Sequence, residues 1–587
     1  MLTKRKNTPW GASAAHYFPG ILVGFLVVIF FSIIVLSMVP PVSRDALTHH
    51  LAVAKLYLQH GGIYEIPSMS FSYYPMNLDL LYTVALYFGN DIIPKFIHFA
   101  FALLTTWLIY GYLKKRIGTS WALAGGVFFL SLPIIVKLSI TVYVDLGLVF
   151  FTTAALVSLL KWMETRFKWR WLVFSALACG LALGTKYNGL IVLFLLTAFV
   201  PFIYVSQKKK DHAFEEKTGR RRSINVQLKS IGFGALFCFI ALLVFSPWMI
   251  RNYVWKSNPV YPLYNSWFQS SAGQRVPSLQ GAIQQQAVGR HDSAPKKKST
   301  RWSSLAVRKV IYQESWWDIM LIPVRIFFQG RDDNPKYFDG KLNPFLFFLP
   351  LFAFWSSSND STAVRTEKRV LIFFAVLYLV YAFSQTAIRI RYIAPIIPPL
   401  VMLSMFGLKR VADIIGGSRI AGADKLSAAV VISTAAMMLA VNAVYIYEQF
   451  NYVQPLSYIS GKINRDDYIA RYRPEYPVVS YANRHLQRNT RILAIFLGNR
   501  RYYSDREIIF GNSLFQRLVH KANSADKLSL ALKQQGFTHL FVRYDLFKRW
   551  SAEQFNNSEK EMIVRWFKKH TALVYSKGGY GLFEFSR

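Results

Sequence analysis

Apolar runs of about 20 residues recur through the first three quarters of this 587-residue chain and restrict its fold more than any other feature. A helix of that length spans the hydrocarbon core of a bilayer, and a soluble domain rarely contains one. When the ends of the runs are oriented by their neighbouring Lys and Arg residues, about eleven spans result. They cover about residues 18–39, 92–113, 120–136, 141–160, 171–185, 187–205, 230–250, 344 onwards, 370–386, 392–408 and 427–447.

The net charge of +38 would indicate nucleic-acid binding in a soluble protein. Here many of the basic residues form short clusters between apolar runs, as in Lys114–Arg116 and Lys208–Lys210. Such clusters orient a membrane protein and contact anionic lipids. We therefore predict a multi-pass protein of the cell (inner) membrane that contacts membrane lipids and binds no nucleic acid. The positive charge is also compatible with a substrate that carries a phosphate group.

The predicted fold class is a polytopic α-helical membrane protein with about 11 spans, interfacial helices and a C-terminal extracytoplasmic α/β domain. Residues 1–447 form the predicted membrane domain, with an outer loop at 40–91 and a long outer loop at 251–343. The predicted soluble domain covers residues 448–587. The middle of the long outer loop, residues 284–299, is polar and is expected to be mobile.

Strand and helix patterns alternate in the soluble domain, which predicts a small α/β fold. Residues 491–498 and 538–542 have strand patterns, and Ser524 can cap a helix that Gly536 ends. Two apolar segments flank Gly578–Gly579 and predict a terminal hairpin.

The segment Pro40–Lys55 follows the first predicted span and contains an aspartate, two histidines and a lysine. Asp45 and His49 are four residues apart, so they share one face of a helix predicted over about 44–60. Asp45 either caps this helix or faces a cavity as a catalytic carboxylate. Asp145, at the outer start of the fourth span, is the second acidic candidate. An acidic residue near a membrane span indicates function, although an ion pair would explain it structurally.

Basic residues also lie at the predicted outer ends of spans, where the positive-inside rule predicts few. They are Lys137, Lys186, Arg251, Arg389 and Arg391. A single cation at a span end is tolerated because its side chain can reach the interface. Several of them beside Asp45 predict a pocket that holds a phosphate. Asp45, His49 and Asp145 could also complete a divalent metal site, but their spacing is not specific for one, so a divalent cation stays open.

Several motifs occur in an order that resembles the C-type glycosyltransferase superfamily. They are the outer helix that begins at Asp45, Tyr143–Leu146, Gly184–Tyr187, Pro247–Asn252 with Asn258–Pro262, and Arg391–Pro398. The resemblance covers about residues 18–410. The branch it resembles most is family 39, which includes protein O-mannosyltransferases and the lipid A aminoarabinose transferase.

The resemblance implies inverting transfer of a sugar from a polyprenyl-phosphate donor to an extracytoplasmic hydroxyl on a lipid, glycan or protein acceptor. Asp45 matches the catalytic carboxylate of the first outer loop, Asp145 the second acid, and Lys186 the lysine near the lipid phosphate. Substrate binding is also expected from His49, Lys55, Tyr187, Arg251, Asn252, Arg389, Arg391 and Tyr392. Many members have Asp-Glu in the first loop, whereas Ala46 follows Asp45 here, which leaves the acceptor class open.

Two other functions fit a basic, many-span chain. A transporter or flippase of lipid-linked glycans would show internal repeats or broken helices near the midplane, and the sequence contains no convincing repeat. A scaffold that only presents the C-terminal domain would leave Asp45 and the outer basic residues unexplained. The enzyme is therefore the preferred interpretation.

Overall fold

The computed structural model describes residues 12–212, 220–268, 304–355, 360–383, 388–418 and 421–586. The first part of the chain contains α1 (Ala12–Ser37), α2 (Leu51–His60), α3 (Asn77–Tyr87), α4 (Ile93–Ile117), α5 (Thr119–Ser131), α6 (Pro133–Ser139), α7 (Asp145–Glu164), α8 (Trp169–Thr185), α9 (Gly189–His212), α10 (Arg220–Lys256), α11 (Asn265–Phe268), α12 (Ser304–Val310), α13 (Trp316–Met320), α14 (Ile322–Arg325), α15 (Phe345–Phe352), α16 (Thr362–Phe383), α17 (Ile397–Gly416) and α18 (Ala423–Val453). A π-helical turn (Ala46–His50) precedes α2, and 3₁₀ segments cover Ser70–Tyr73, Pro335–Tyr337 and Ile390–Ile396.

Seven helices of the described chain are long and apolar enough to cross a membrane, and the count is eight if α5 and α6 form one broken span. The fold class is confirmed, but this count is below the predicted eleven. α15 has only eight residues, and α8 has seventeen. α16 begins with a charged turn that includes Arg365, Glu367 and Lys368, so its apolar part is short.

Two ends of the helix bundle can be distinguished by their contacts. At one end, Arg116 at the end of α4 donates hydrogen bonds to Glu367 in α16 and lies 3.7 Å from Glu164 at the end of α7. At the other end, Lys55 contacts Tyr502 and Ser504 of the C-terminal domain. We refer to this second end as the domain face. Arg116 belongs to the basic cluster Lys114–Arg116, which therefore lies at the end opposite the C-terminal domain.

The bundle contains close helix contacts and one sharp bend. α5 and α6 meet at 63° where Pro133 begins α6, because proline favours the first turn of a helix and cannot extend the preceding one. Gly407 of α17 packs against α15, and a Cβ built there would lie 1.9 Å from the Leu349 carbonyl oxygen. Only a residue without a side chain permits this approach.

The predicted outer loop 40–91 has the expected helical content. The π-helical turn and α2 occupy the position of the helix predicted at 44–60, and α3 is a second helix in the same loop. Residues 284–299, predicted to be mobile, lie outside the described part of the chain. The last helix of the bundle, α18, runs to Val453, so the predicted domain boundary at 447/448 falls inside it.

The C-terminal domain contains α19 (Pro455–Ile459), α20 (Arg465–Tyr472), α21 (Tyr476–His485), β1 (Arg491–Ile495), β2 (Glu507–Phe510), α22 (Asn512–Lys521), α23 (Ala525–Gln534), β3 (His539–Arg543), α24 (Tyr544–Gln554), α25 (Asn557–His570), β4 (Thr571–Lys577) and β5 (Tyr580–Phe585). The sheet has the order β2-β1-β3-β5-β4, in which β2, β1 and β3 are parallel and β5 is antiparallel to both neighbours. Apolar clusters cover both faces of the sheet.

Local signals located most of this domain correctly. Ser524 accepts a hydrogen bond from the Lys527 amide and caps α23, and Gly536 follows the helix with a φ of +78°. The hairpin β4–β5 turns through Gly578 and Gly579, both at positive φ. The strand β2 was not predicted, since it has only four residues and lies at the sheet edge.

Candidate active site at the domain face

The first outer loop places Asp45 at the domain face. α1 ends at Ser37, three residues before Pro40 and Pro41, because proline disfavours helix in the residue before it. Asp45 then precedes the π-helical turn, but its side chain accepts no capping hydrogen bond from that turn. Asp45 therefore does not act as the helix cap that the sequence also allowed.

Asp45 pairs with Arg391, the second residue of the 3₁₀ segment that leads into α17. Arg391 Nη1 lies 2.6 Å from Asp45 Oδ2, and the two side chains are 11% and 22% exposed. Burial acts to raise the pKa of Asp45, but the Arg391 guanidinium outweighs it and holds that pKa well below its usual range. The carboxylate is therefore ionised at neutral pH.

His49 lies on the same turn and is held between two rings. Its imidazole stacks on Phe71 at a centroid distance of 4.4 Å and lies 4.1 Å from the ring of His50. Burial and the neighbouring His50 lower the pKa of His49 well below its usual value, and Asp45 compensates only in part. A neutral imidazole therefore lies beside the Asp45 carboxylate.

The second carboxylate, Asp145, pairs with Lys186. Lys186 Nζ donates to Asp145 Oδ1 at 2.6 Å, and the two side chains are 18% and 1% exposed. Asp145 begins α7, where the positive end of the helix dipole favours an anion. Its second oxygen, Oδ2, is buried without a hydrogen-bond partner.

Local structure fixes both members of this pair. The amide of Leu146, next to Asp145, donates to His98 Nε2 at 2.9 Å. Lys186 follows the end of α8 in extended conformation. Gly184, just before it, permits the close approach of Asn77, since a Cβ there would lie 2.2 Å from Asn77 Nδ2. His98 therefore contacts the segment of Asp145, and Asn77 packs against the end of α8 just before Lys186.

Two tyrosines join the ion pairs into one cluster. The guanidinium carbon of Arg391 lies 4.9 Å from the ring centroid of Tyr143 and 5.3 Å from that of Tyr392. Lys186 Nζ lies 5.0 Å from the Tyr392 centroid, so both cations contact the same ring. We name Asp45, Arg391, Asp145, Lys186, Tyr143 and Tyr392 the paired-ion cluster. A small open pocket adjoins it, lined by Tyr143, Arg391, Lys137, Asp333 and Asp339 with Ile134 and Leu138.

The predicted binding residues Arg251, Asn252 and Tyr187 form a separate hydrogen-bond network. Arg251 Nη2 donates to the Tyr74 carbonyl at 3.1 Å and to Asn252 Oδ1 at 2.9 Å. Asn252 is fully buried, and its Nδ2 donates to the Tyr73 carbonyl and to the Tyr187 hydroxyl. This network joins α10 to the first outer loop and lies beside Lys186 along the chain.

The remaining predicted cations have other partners. Lys55 Nζ donates to the carbonyls of Tyr502 and Ser504 and to Asp505 Oδ1, outside the paired-ion cluster. Arg389 lies 3.4 Å from Asp339. Lys137 lies 3.1 Å from Asp332 and 3.6 Å from Asp339. Arg389 and Lys137 thus share the Asp339 carboxylate, which lines the pocket.

The residues at this site do not fit a bound divalent cation. Among the described residues, no three His, Cys, Asp or Glu side chains converge as a metal site would require. One oxygen each of Asp45 and Asp145 is instead held by a basic side chain. The divalent cation that the sequence left open therefore has no ready set of ligands among these side chains.

A buried His–Asp pair beside the cluster was not predicted. His50 Nδ1 lies 2.7 Å from Asp79 Oδ1, and both side chains are less than 10% exposed. Asp79 is the acidic residue in the first turn of the apolar helix α3, which is the signal that could have identified it. The pair fixes the end of the π-helical turn that follows Asp45.

Comparisons with known proteins agree on the architecture. A family model described as dolichyl-phosphate-mannose-protein mannosyltransferase matches residues 81–217, which contain Asp145 and Lys186. No curated protein matches the chain significantly in sequence.

Several solved structures are similar over nearly the whole chain. ArnT from Cupriavidus metallidurans in the apo state has a TM-score of 0.53 at 13% identity, over 96% of this chain and 97% of that one. ArnT bound to undecaprenyl phosphate has a TM-score of 0.52 at 14% identity, over 96% and 98%. The Archaeoglobus fulgidus oligosaccharyltransferase tethered with an acceptor peptide has a TM-score of 0.51 at 11% identity, over 96% and 74%.

Proposed function

Because the chain has the fold of the C-type glycosyltransferase superfamily and matches one of its family models, we propose that it is a membrane glycosyltransferase. It transfers a sugar from a polyprenyl-phosphate donor to an extracytoplasmic acceptor hydroxyl, with inversion at the anomeric carbon. The observation that carries this proposal is the paired-ion cluster, in which an ionised carboxylate and two cations meet at one end of the bundle.

Arg391 and Lys186 bind the donor phosphate. Arg391 can bind phosphate oxygens in a bidentate geometry, and Lys186 adds a second positive charge across Tyr392. The position at a membrane face fits a donor whose prenyl tail remains in lipid while its head group enters the pocket. Undecaprenyl phosphate bound to the structurally similar ArnT supports this donor class.

The ion pair between Asp45 and Arg391 links donor binding to the basicity of Asp45. A carboxylate held by an arginine is a weak base, since its pKa lies well below the usual range. A donor phosphate competes for the same guanidinium, and the pKa of Asp45 rises when it loses this partner. Asp45 therefore becomes an effective general base only when a donor is in place.

In the transfer step, the acceptor oxygen attacks the anomeric carbon while the bond from that carbon to the phosphate oxygen breaks. The leaving phosphate keeps the bonding electron pair, and Asp45 accepts the proton of the acceptor hydroxyl. Arg391 and Lys186 stabilise the charge that develops on the phosphate because they are already in position. Asp145 holds Lys186 in that position through its 2.6 Å contact.

The site and the C-terminal domain face the extracytoplasmic side in this proposal, because the Lys/Arg clusters lie at the opposite end of the bundle. The acceptor is a lipid, a glycan or a protein. A flippase of lipid-linked glycans is the alternative, and it would move the donor without breaking the bond to the phosphate.

The test uses mass spectrometry of cell-envelope glycans from a strain that lacks the gene. Wild type and Asp545→Asn should restore a sugar modification, whereas Asp45→Asn should leave less than about 1% of it, the loss typical of a missing general base. Asp545 is the matched control, because it also pairs with an arginine, at 2.7 Å, but on the C-terminal domain. Full modification by a membrane-inserted Asp45→Asn protein would remove Asp45 from the mechanism.

A further inference from the structure

One loop of the C-terminal domain lies directly on the helical turn that follows Asp45. It comprises residues 499–505, which connect β1 to β2, and we name it the contact loop. β1, β2 and β3 are parallel, so the loops after β1 and β3 leave the sheet at the same edge. Gly498 and Asn499, both at positive φ, direct the chain from that edge toward the membrane domain.

The contact loop binds the π-helical turn through its backbone. The amides of Arg501 and Tyr502 both donate to the Leu47 carbonyl, at 3.1 Å each. Leu47 lies two residues after Asp45, inside the turn. A π-helical turn is rare because its geometry is less favourable than that of an α-helix. Such turns are frequent at functional sites. Two donors from another domain therefore stabilise a segment that is weak by itself.

Side chains extend the same contact on both sides of the turn. Beyond it, Lys55 donates to Tyr502, Ser504 and Asp505 of the contact loop, at 3.0, 3.0 and 2.7 Å. Before it, the Tyr503 hydroxyl donates to the Pro41 carbonyl at 2.8 Å. The contact loop thus holds the segment that contains Asp45 at its beginning, middle and end.

Two further contacts, from the membrane domain, hold this segment. Asp79 holds His50 at 2.7 Å, and Arg391 holds Asp45 at 2.6 Å. When a donor takes Arg391, the contact loop and Asp79 still hold the turn by polar contacts, and His49 still stacks on Phe71. The position of Asp45 during the transfer step then depends on the C-terminal domain.

We propose that the contact loop is a positioning element for Asp45, with Lys55 as its principal side-chain anchor. The proposal rests on the function proposed above, and it gives the C-terminal domain a role in the rate of transfer in addition to any role in acceptor choice. Lys55 acts through the loop and the turn, and not by contact with the donor.

The experiment compares Lys55→Met, Asp505→Asn and their double variant in the full-length protein in nanodiscs. Asp505 is half-exposed and belongs to the contact loop, so its substitution disturbs the contact without removing a membrane-domain cation. Lys569→Met is the matched control, because it removes a lysine–aspartate pair of 2.8 Å elsewhere in the C-terminal domain. Lys55→Arg keeps the charge and tests rescue.

Three quantities are measured for each variant. Hydrogen–deuterium exchange reports the opening of residues 43–51, and binding of undecaprenyl phosphate reports the donor site. The rate at which the sugar modification of the cell envelope forms, in the gene-deletion strain that carries each variant, reports the transfer.

We expect exchange of residues 43–51 to be about tenfold faster in Lys55→Met and Asp505→Asn, as for the loss of a hydrogen bond to a charged group. The product rate should fall about tenfold, while the Kd for undecaprenyl phosphate stays within about twofold of the wild-type value.

Lys55→Arg and Lys569→Met should behave as wild type. Unchanged exchange at residues 43–51 in both Lys55→Met and Asp505→Asn would overturn the proposal, and so would faster exchange with an unchanged product rate. A weaker Kd in Lys55→Met but not in Asp505→Asn would also overturn it, because Lys55 would then bind the donor directly. If the wild type forms no product, the proposed function fails, and exchange at residues 43–51 alone decides whether the loop holds the turn.

Discussion

Replacement of Lys186 by methionine leaves an ionised aspartate buried without its cation. The Asp145 side chain is 1% exposed, its Oδ1 depends on Lys186 at 2.6 Å, and its Oδ2 has no hydrogen-bond partner. Methionine has a similar length and volume but cannot donate a hydrogen bond. The variant therefore isolates the electrostatic contribution of Lys186.

The expected loss follows from the burial of the pair. Removal of one partner from a buried ion pair typically destabilises a protein by about 3–5 kcal/mol. Lys186 is 18% exposed, so we expect a value near the lower end, about 3 kcal/mol. Asp145→Asn alone should destabilise less, about 1–2 kcal/mol, since the ammonium can still contact water and the Tyr392 ring. The double variant should lie within about 1 kcal/mol of wild type, because no buried charge remains.

Equilibrium unfolding in mixed detergent micelles measures these differences, and the double-mutant cycle gives the interaction energy, expected to be at least about 2 kcal/mol. Lys341→Met is the control, because Lys341 pairs with Glu448 at a similar length, 2.7 Å, with both side chains at least one third exposed. Its loss should be about 0–1 kcal/mol. If Lys186→Met destabilises no more than Lys341→Met, Asp145 is not an isolated buried anion and the reasoning about this pair fails.

Three further outcomes are expected. In Arg391→Met, the acid limb of the pH profile of kcat/KM, which reports the free enzyme, should move to higher pH, because Arg391 no longer lowers the pKa of Asp45 there. An unmoved limb would show that Arg391 does not set the pKa of Asp45. Treatment with EDTA should leave the transfer rate unchanged, since Asp45 and Asp145 are each held by a basic side chain, and restoration of a lost rate by Mg²⁺ would contradict this. Asn252→Ala should lower the free energy of unfolding by about 1–3 kcal/mol and leave the Kd for undecaprenyl phosphate unchanged, because the buried Asn252 amide donates within the structural network; a weaker Kd at unchanged stability would instead assign Asn252 to the donor site.

Much of the architecture could be predicted because it depends on local patterns. Apolar length located the long membrane helices, and Ser524 and Gly536 marked the ends of α23. The comparisons confirm the polytopic fold with a C-terminal domain, and the family model matches residues 81–217. The number of spans was less predictable, because the short helix α15 and the bend at Pro133 are consequences of packing in three dimensions.

A charged residue at the end of an apolar run is easy to identify in a sequence, and the part of the candidate site that consists of such residues could be predicted. Asp145, Lys186 and Arg391 stood out for this reason, and the structure brings them together with Asp45. Lys55 is different, since its partners lie about 450 residues further along the chain. No local pattern distinguishes a lysine that binds a substrate from one that anchors a distant domain.

Arg389 and Arg251 illustrate the same difficulty with arginine. Arg389 is two residues from Arg391 in the sequence, yet it contacts Asp339 and not Asp45. Arg251 contacts the Tyr74 carbonyl and Asn252. Which arginines remain available for a phosphate depends on the acceptors that the folded chain places around them.

The central claim is that Lys186 and Arg391 hold the donor phosphate beside Asp45. A cryo-electron microscopy map of the full-length protein in nanodiscs with undecaprenyl phosphate tests this most directly. The account predicts phosphate density within about 3 Å of Lys186 Nζ and the Arg391 guanidinium, with Arg391 drawn away from Asp45. Density at the opposite end of the bundle, or at Arg251 with the 2.6 Å contact between Arg391 and Asp45 intact, would contradict it.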